Sequence, residues 1–267
     1  MTWLELADGV YARRYEELDL TVGLVVGGER CLVVDVRGDV EQGAELAAAV
    51  REITPLPWSV VYTHAHFDHA YGTTAFLPCD VWAHEACLPE LTTYGEGARK
   101  KWIEHYLKEN RPEMAKALER TVLTMPDRLV TDTAEIDLGG RVVVLRFLGH
   151  AHTDHDLFVH VPDAGVLYAG DAVENAEAGF SAFSFNDGSS LPGWTGVMDA
   201  ILTLEPKIIV AGHGDPVDTA FIAKHRDGLR ELVALKTRIK AGELTTDEAV
   251  AKSPYPDDVT RAALETP

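Results

Sequence analysis

Six consecutive residues, His64-Ala65-His66-Phe67-Asp68-His69, put four metal-competent side chains directly after a short apolar run, Ser59-Val60-Val61-Tyr62-Thr63. That run reads as a buried β-strand. Polar groups this dense at the end of a buried strand constrain the fold, because the strand must finish at an edge where side chains converge. In extended backbone, residues two apart face the same side, so His64 and His66 can meet at one ion. Asp68 and His69 follow as the chain turns and can reach a second ion beside the first. Imidazole combined with carboxylate suits Zn²⁺ and similar borderline cations.

The rest of the chain alternates strands and helices. Val22–Val26 and Cys31–Asp35 read as strands joined by a turn at Gly27-Gly28-Glu29-Arg30. Residues 40–52 read as a helix that stops before Pro55, and Val81-Trp82-Ala83 as a further strand. Residues 86–120 form a helical insertion in which Trp102, Tyr106 and Leu107, then Met114, Ala117 and Leu118, recur at helical spacing. Such a stripe either packs on the body of the protein or caps a site. Residues 133–147 give two strands around Gly139-Gly140, followed by strands at Leu157–Val161 and Val166–Ala169. A helix over 193–204, a strand over Lys207–Ala211 and a long helix over 217–240 complete the pattern. Repeated β/α alternation predicts an α/β protein whose sheets carry helices on their outer faces. Residues 1–240 are expected to form one domain, with 241–267 a short polar tail of one or two helical turns packed on it.

Charge removes some partners. With 24 Lys+Arg against 43 Asp+Glu, the net charge is −19, so nucleic acid and anionic membrane surfaces would be repelled. The one basic run, Arg99-Lys100-Lys101, reads as a solvated helix face. No apolar stretch approaches the roughly 20 residues that span a bilayer. The first eight residues lack the basic start and apolar run of a signal peptide. Cys31, Cys79 and Cys87 are odd in number and show no CxxC spacing, as expected of reduced thiols in a cytoplasmic protein.

Three later segments, His152-Thr153, Gly170-Asp171 and Gly212-His213-Gly214, each follow an apolar strand and would join the first cluster at a common edge. Over roughly residues 8 to 240, this set resembles the metallo-β-lactamase superfamily of binuclear metal hydrolases. The resemblance implies an αβ/βα sandwich with the metals at one edge. It implies that His64, His66 and His152 hold one metal, that Asp68, His69 and His213 hold the other, and that Asp171 bridges both. Within Gly149–Asp156, which holds three histidines, the position directly before Thr selects His152, and His150 is the alternative. His155 stands where relatives commonly carry Gly, which makes it a candidate either for holding the segments that carry the ligands or for contacting the substrate. For His84, His105, His160 and His225 the expectation is a surface or satisfied core histidine.

The implied chemistry is hydrolysis. Two adjacent cations would share a water, lower its pKa and polarise a carbonyl, with Asp68 and Asp171 as the catalytic carboxylates. Thr153 and nearby backbone would supply hydrogen bonds that fix the imidazoles. The metals are expected to be two Zn, with Fe and Mn as alternatives for the same donors. An aspartate at 171 is more like glyoxalase II, lactonases and other ester or thioester hydrolases than like true β-lactamases, which usually place Cys or Ser there. The chain also lacks the lysine that follows that position in B1-type lactamases. The bacterial relatives labelled quinoprotein-relay-associated look similar overall. The expected substrate is a small molecule with an ester, lactone, thioester or amide bond. The alternatives are β-lactamase activity and a mononuclear-iron oxygenase of the persulfide dioxygenase type. Phe180, Phe183, Trp102 and Tyr106 are the further candidate substrate contacts, and the resemblance leaves room for a homodimer.

Overall fold

A computed structural model describes residues 2–176, 179–186 and 188–267. Two sheets stand face to face. The first holds seven strands in sequence order: β1 (Leu4–Ala7), β2 (Val10–Arg14), β3 (Thr21–Val26), β4 (Cys31–Val34), β5 (Trp58–Val61), β6 (Val81–His84) and β7 (Arg128–Val130). Its first four strands are antiparallel and the last four parallel, so β4 belongs to both regimes. The second sheet holds β8 (Thr133–Asp137), β9 (Val142–Phe147), β10 (Leu157–Val161), β11 (Val166–Tyr168) and β13 (Ile208–Val210), in the order 13-11-10-9-8. A two-residue strand β12 (Glu174–Asn175) pairs in parallel with β14 (His213–Gly214) beside it.

Period-two alternation builds the layers. In β4, Cys31 and Val33 join the core beneath the outer helices, whereas Leu32 and Val34 face the opposing sheet. In β10, Phe158 joins the second helical core and Leu157, Val159 and Val161 fill the space between sheets. Helix α1 (Val40–Ile53) covers the first sheet through Leu46 and Val50. Asp39 caps it, accepting hydrogen bonds from the N–H groups of Glu41 and Gln42. The turn α2 (Phe67–Ala70) carries part of the polar cluster. Helices α3 (Cys87–Lys108) and α4 (Pro112–Arg120) form the insertion. Helices α5 (Leu191–Thr203) and α6 (Thr219–Lys240) cover the second sheet. Layer order is thus helix, sheet, sheet, helix, the expected sandwich.

Three elements differ from the sequence reading. Leu4–Ala7 pairs with β2 as an edge strand, although its short, half-exposed run gives little periodic signal. Arg128–Val130 adds a seventh strand beyond the insertion. Residues 241–267 are more than a polar tail: they form α7 (Thr246–Val250) and α8 (Asp257–Glu265), and Val259 and Ala263 enter the core with Trp194 and Leu229. Cys31, Cys79 and Cys87 are all free thiols. No described helix is long and apolar enough to cross a membrane.

Candidate metal centre

Strand ends from both sheets supply the polar cluster. From β5 the chain runs through His64 and His66 into α2, which carries Asp68 and His69. The loop between β9 and β10 brings His152, the turn after β11 brings Asp171, and β14 brings His213. Two glycines permit this closeness. A Cβ at Gly212 would lie 2.0 Å from Asp171 Oδ1, and one at Gly170, whose φ is +51°, would lie 2.7 Å from Thr63. The GD and GHG segments therefore carry their glycines because Asp171 and the strand ends occupy that space.

His64, His66, His152 and Asp171 each bring one donor atom within 4.8 Å of the others, and Asp68, His69 and His213 do the same. Asp171 also stands between the two groups. Its Oδ2 lies 3.5 Å from His64 Nε2, 3.7 Å from His152 Nε2 and 3.3 Å from His213 Nε2, while its Oδ1 lies 3.1 Å from His69 Nε2.

Hydrogen bonds outside the cluster fix the imidazoles. His152 Nδ1 donates to the Ser184 carbonyl at 2.8 Å and His213 Nδ1 to the Leu18 carbonyl at 2.7 Å. Carbonyls only accept, so Nε2 of a neutral ring faces inward with a bare lone pair. His69 Nδ1 is held by Asp35 Oδ2 at 2.8 Å, and His64 Nδ1 sits 3.1 Å from Thr63 Oγ1, which itself donates to Asp35. His66 presents Nδ1 instead, 3.0 Å from His152 Nε2. His64 Nε2, His69 Nε2 and Asp171 Oδ1 are buried with no hydrogen-bond partner among the described residues. Buried polar atoms are rarely left so, and these three, drawn from both donor groups, fit cations held between them.

Electrostatics agree with the donor geometry. Burial drives the pKa values of His64 and His66 well below the usual imidazole range, keeping both rings neutral. Burial opposes the charged forms of His69 and His213 too, but Asp171 and Asp68 outweigh it, and His213 is lifted to about 10. Asp171 is buried, yet His213, His69 and His64 hold its carboxyl well below its ordinary range. Carboxylates enclosed in this way draw positive charge into the cluster, as protons or as a cation.

A cavity of about 550 Å³ opens on the cluster, with His66, Asp68, Asp171 and His213 in its floor. Its walls are Trp102 and Lys101 from α3, Phe67 from α2, and Phe183 from a 3₁₀ turn at Ala182–Ser184. The insertion therefore does both things its stripe allowed. Leu91 and Tyr106 pack on the body, and the next face reaches the cavity through Trp102, stacked on Phe67 at 4.1 Å.

Several expected contacts lie elsewhere. Phe180 is buried in the second core, its ring 3.9 Å from that of His225, and lines no part of the cavity. Apolar packing against Trp194 and Phe185 claims it. Tyr106 is also buried and donates its hydroxyl to Glu17 at 2.7 Å. His155 faces the protein rather than a substrate: Nδ1 meets Asp154 at 2.7 Å and Nε2 accepts from Ala65 N–H at 3.3 Å. His150 is exposed and turned toward the Gly188 carbonyl, outside both donor groups. His84, His105, His160 and His225 also lie outside them. Thr153 bonds no imidazole; it anchors its loop on buried Asp156, which accepts from its N–H and its hydroxyl. Lys101 belongs to the cavity wall, not to a wholly solvated face.

Some contributors escaped the sequence reading. Asp35 accepts from His69, from the Thr63 hydroxyl and from the Thr63 N–H. Its only signal is a carboxylate ending an apolar strand. Glu174 lines the cavity from β12, and burial, reinforced by Asp171, raises its carboxyl to about 8.

Comparison with known proteins gives the same picture. The sequence profile of the metallo-beta-lactamase superfamily matches residues 17–213. The chain belongs to the metallo-beta-lactamase superfamily. Within it, the chain is similar to the "Probable metallo-hydrolase YqgX" of Bacillus subtilis (strain 168), at 23% identity over 73% of this chain and 84% of that one. The fold is that of a metallo-beta-lactamase from Pontibacter korlensis, with a TM-score of 0.64 and 17% identity over 85% of this chain and 98% of that one. It also matches the sec-alkylsulfatase Pisa1 from Pseudomonas sp., with a TM-score of 0.80 and 15% identity over 98% of this chain and 49% of that one.

Proposed function

We propose that this chain is a binuclear metal-dependent hydrolase that cleaves an ester, lactone, thioester or amide bond of a small molecule. The carrying observation is the pair of adjacent donor groups, with Asp171 of the first within 3.1 Å of His69 and 3.3 Å of His213 of the second, and with buried atoms of His64, His69 and Asp171 left unpartnered beside one cavity. His64, His66 and His152 would hold one cation and Asp68, His69 and His213 the other, with Asp171 between them. Zinc is the metal we assign, since neutral imidazoles and carboxylates suit it. Cations held there supply an activated water and polarise the scissile carbonyl.

The protein's own residues do the rest. Ser184, Leu18 and Asp35 fix the ring orientations before any substrate arrives. Asp68 faces the cavity from the first turn of α2, placed to accept a proton from the attacking water. Trp102, Phe67 and Phe183 exclude solvent from the apolar part of the substrate and orient its reacting bond. A reducing cytoplasm fits the three free thiols.

Elemental analysis paired with a hydrolysis panel tests the reading. The panel holds a nitrophenyl ester, a homoserine lactone, a glutathione thioester, an amide, a sec-alkyl sulfate and a cephalosporin. Close to two zinc ions per chain and turnover of an ester, lactone, thioester or amide are expected. His152→Ala should lose about one equivalent of metal while His150→Ala keeps both. Turnover of the cephalosporin or sulfate alone would replace the proposed substrate class, and one iron with no hydrolysis would overturn the reaction.

A further inference from the structure

Among the described residues, Lys101 is the only lysine or arginine in the wall of the cavity that opens on the donor cluster. Among the described residues it makes no ion pair and no hydrogen bond, whereas Arg99, two residues earlier on the same helix, is tied to Glu96. The setting makes this lysine informative. The chain carries a net charge of −19, so a random anion is repelled at long range and is held only where a cation stands locally. Beside Lys101 stand aromatic rings: Trp102 stacks on Phe67 at 4.1 Å, and Phe183, 72% exposed, faces Trp102 at 6.1 Å across the opening, while Glu174, Ser181, Ser184 and Asn186 line other parts of the cavity. An exposed aromatic beside a half-buried one forms a slot for a flat or extended apolar group. The floor of the same cavity holds His66, Asp68 and Asp171. Three chemistries thus meet in one space: donors for metal at the floor, an aromatic slot at the wall, and one ammonium.

We propose that the substrate is an amphiphilic acid derivative: its apolar body seats between Trp102 and Phe183, and an anionic group remote from the scissile bond pairs with Lys101. This rests on the hydrolase reading of the same site. It makes Lys101 a specificity-determining residue supplied by the helical insertion. A single ammonium at the cavity wall selects a monoanionic tail, since the other Asp, Glu, Lys and Arg side chains in the lining, Asp68, Asp171 and Glu174, are acidic and offer a second anion no partner.

The test compares two esters that share one acyl chain on the metal-loaded enzyme: mono-4-nitrophenyl adipate, an anion, and its neutral methyl ester. The wild-type protein should prefer the anion. Lys101→Met should lower the anionic-to-neutral ratio of kcat/KM about 5-fold, through KM, and Lys101→Glu by more, as expected for a partly exposed pair that is lost and then inverted. Lys100→Met removes the same net charge from the same helix outside the cavity and should leave the ratio unchanged. Equal ratios in wild type and Lys101→Glu, or an equal fall in Lys100→Met, would overturn the proposal. If neither ester turns over, the wider hydrolysis panel decides the hydrolase reading and binding decides the Lys101 proposal separately. Calorimetric titration of the metal-loaded proteins with 4-phenylbutyrate and 4-phenylbutanamide should then show carboxylate binding weakened in Lys101→Glu. Unchanged carboxylate affinity would mean that the anion goes to the floor, and would overturn it.

Discussion

Asp35 holds two parts of the site at once: its carboxylate fixes His69 Nδ1 and both donors of Thr63, and Thr63 in turn positions His64. Asparagine in its place keeps one acceptor oxygen and turns an N–H₂ toward groups that must donate. Asp35→Asn should therefore fold but bind metal about 10- to 100-fold more weakly, the usual cost of removing a carboxylate behind a ligating imidazole. A chelator competition titration measures it; wild-type affinity would refute the role. Residues of this kind were hard to read in the sequence. The six-residue run from His64 announced itself because four polar side chains rarely crowd one strand end. Asp35 gives no such density, and its partners lie about thirty residues away. Phe180 misled for the complementary reason: an aromatic in a Gly/Ser-rich stretch has no periodicity to say whether it faces a cavity or a core.

Elements were more legible than contacts. The strands and helices that bury one face carry a period, and β4, β10, α1 and α6 follow theirs closely. Leu4–Ala7 and Arg128–Val130 are short edge strands with mostly exposed side chains, so pairing alone makes them strands. The donors of the first cluster hang on β5, which packs beside β4 and beneath α1. The start of α1 depends on Asp39, whose carboxylate satisfies two N–H groups that the helix cannot. Asp39→Ala should cost about 1 kcal/mol, read as a lower urea midpoint with an unchanged slope. A change below about 0.3 kcal/mol would show that the cap is replaced by water, since peptide-host caps set the lower bound near 0.5 kcal/mol.

At the scale of the whole molecule, one buried group ties stability to pH. His225 sits in the second core against Phe180 and Phe221, and burial depresses its pKa from 6.5 to about 3. The unfolded chain protonates this ring near 6.5 while the folded chain resists, so unfolding takes up a proton between those values. The folded state is therefore stabilised as pH rises through that window and destabilised as it falls. Between pH 6.5 and pH 5 this single ring should account for a loss on the order of 2 kcal/mol. His225→Phe, measured by denaturant unfolding of chelated protein at both pH values, should remove that portion of the loss. An identical pH dependence in variant and wild type would sink the argument.

The seam between the sheets has a consequence of its own. His64, His66, Asp68 and His69 follow β5 of the first sheet, whereas His152 and Asp171 follow strands of the second and His213 lies on β14 of the small sheet beside it. A cation held by both sets works as a rivet through two plates, joining segments far apart in sequence without any covalent link. Occupancy at one hundred times the dissociation constant adds about 2.7 kcal/mol to the closed form. Chelation should therefore make the two plates part more readily, read as faster cleavage by a nonspecific protease, and an unchanged cleavage rate would refute it.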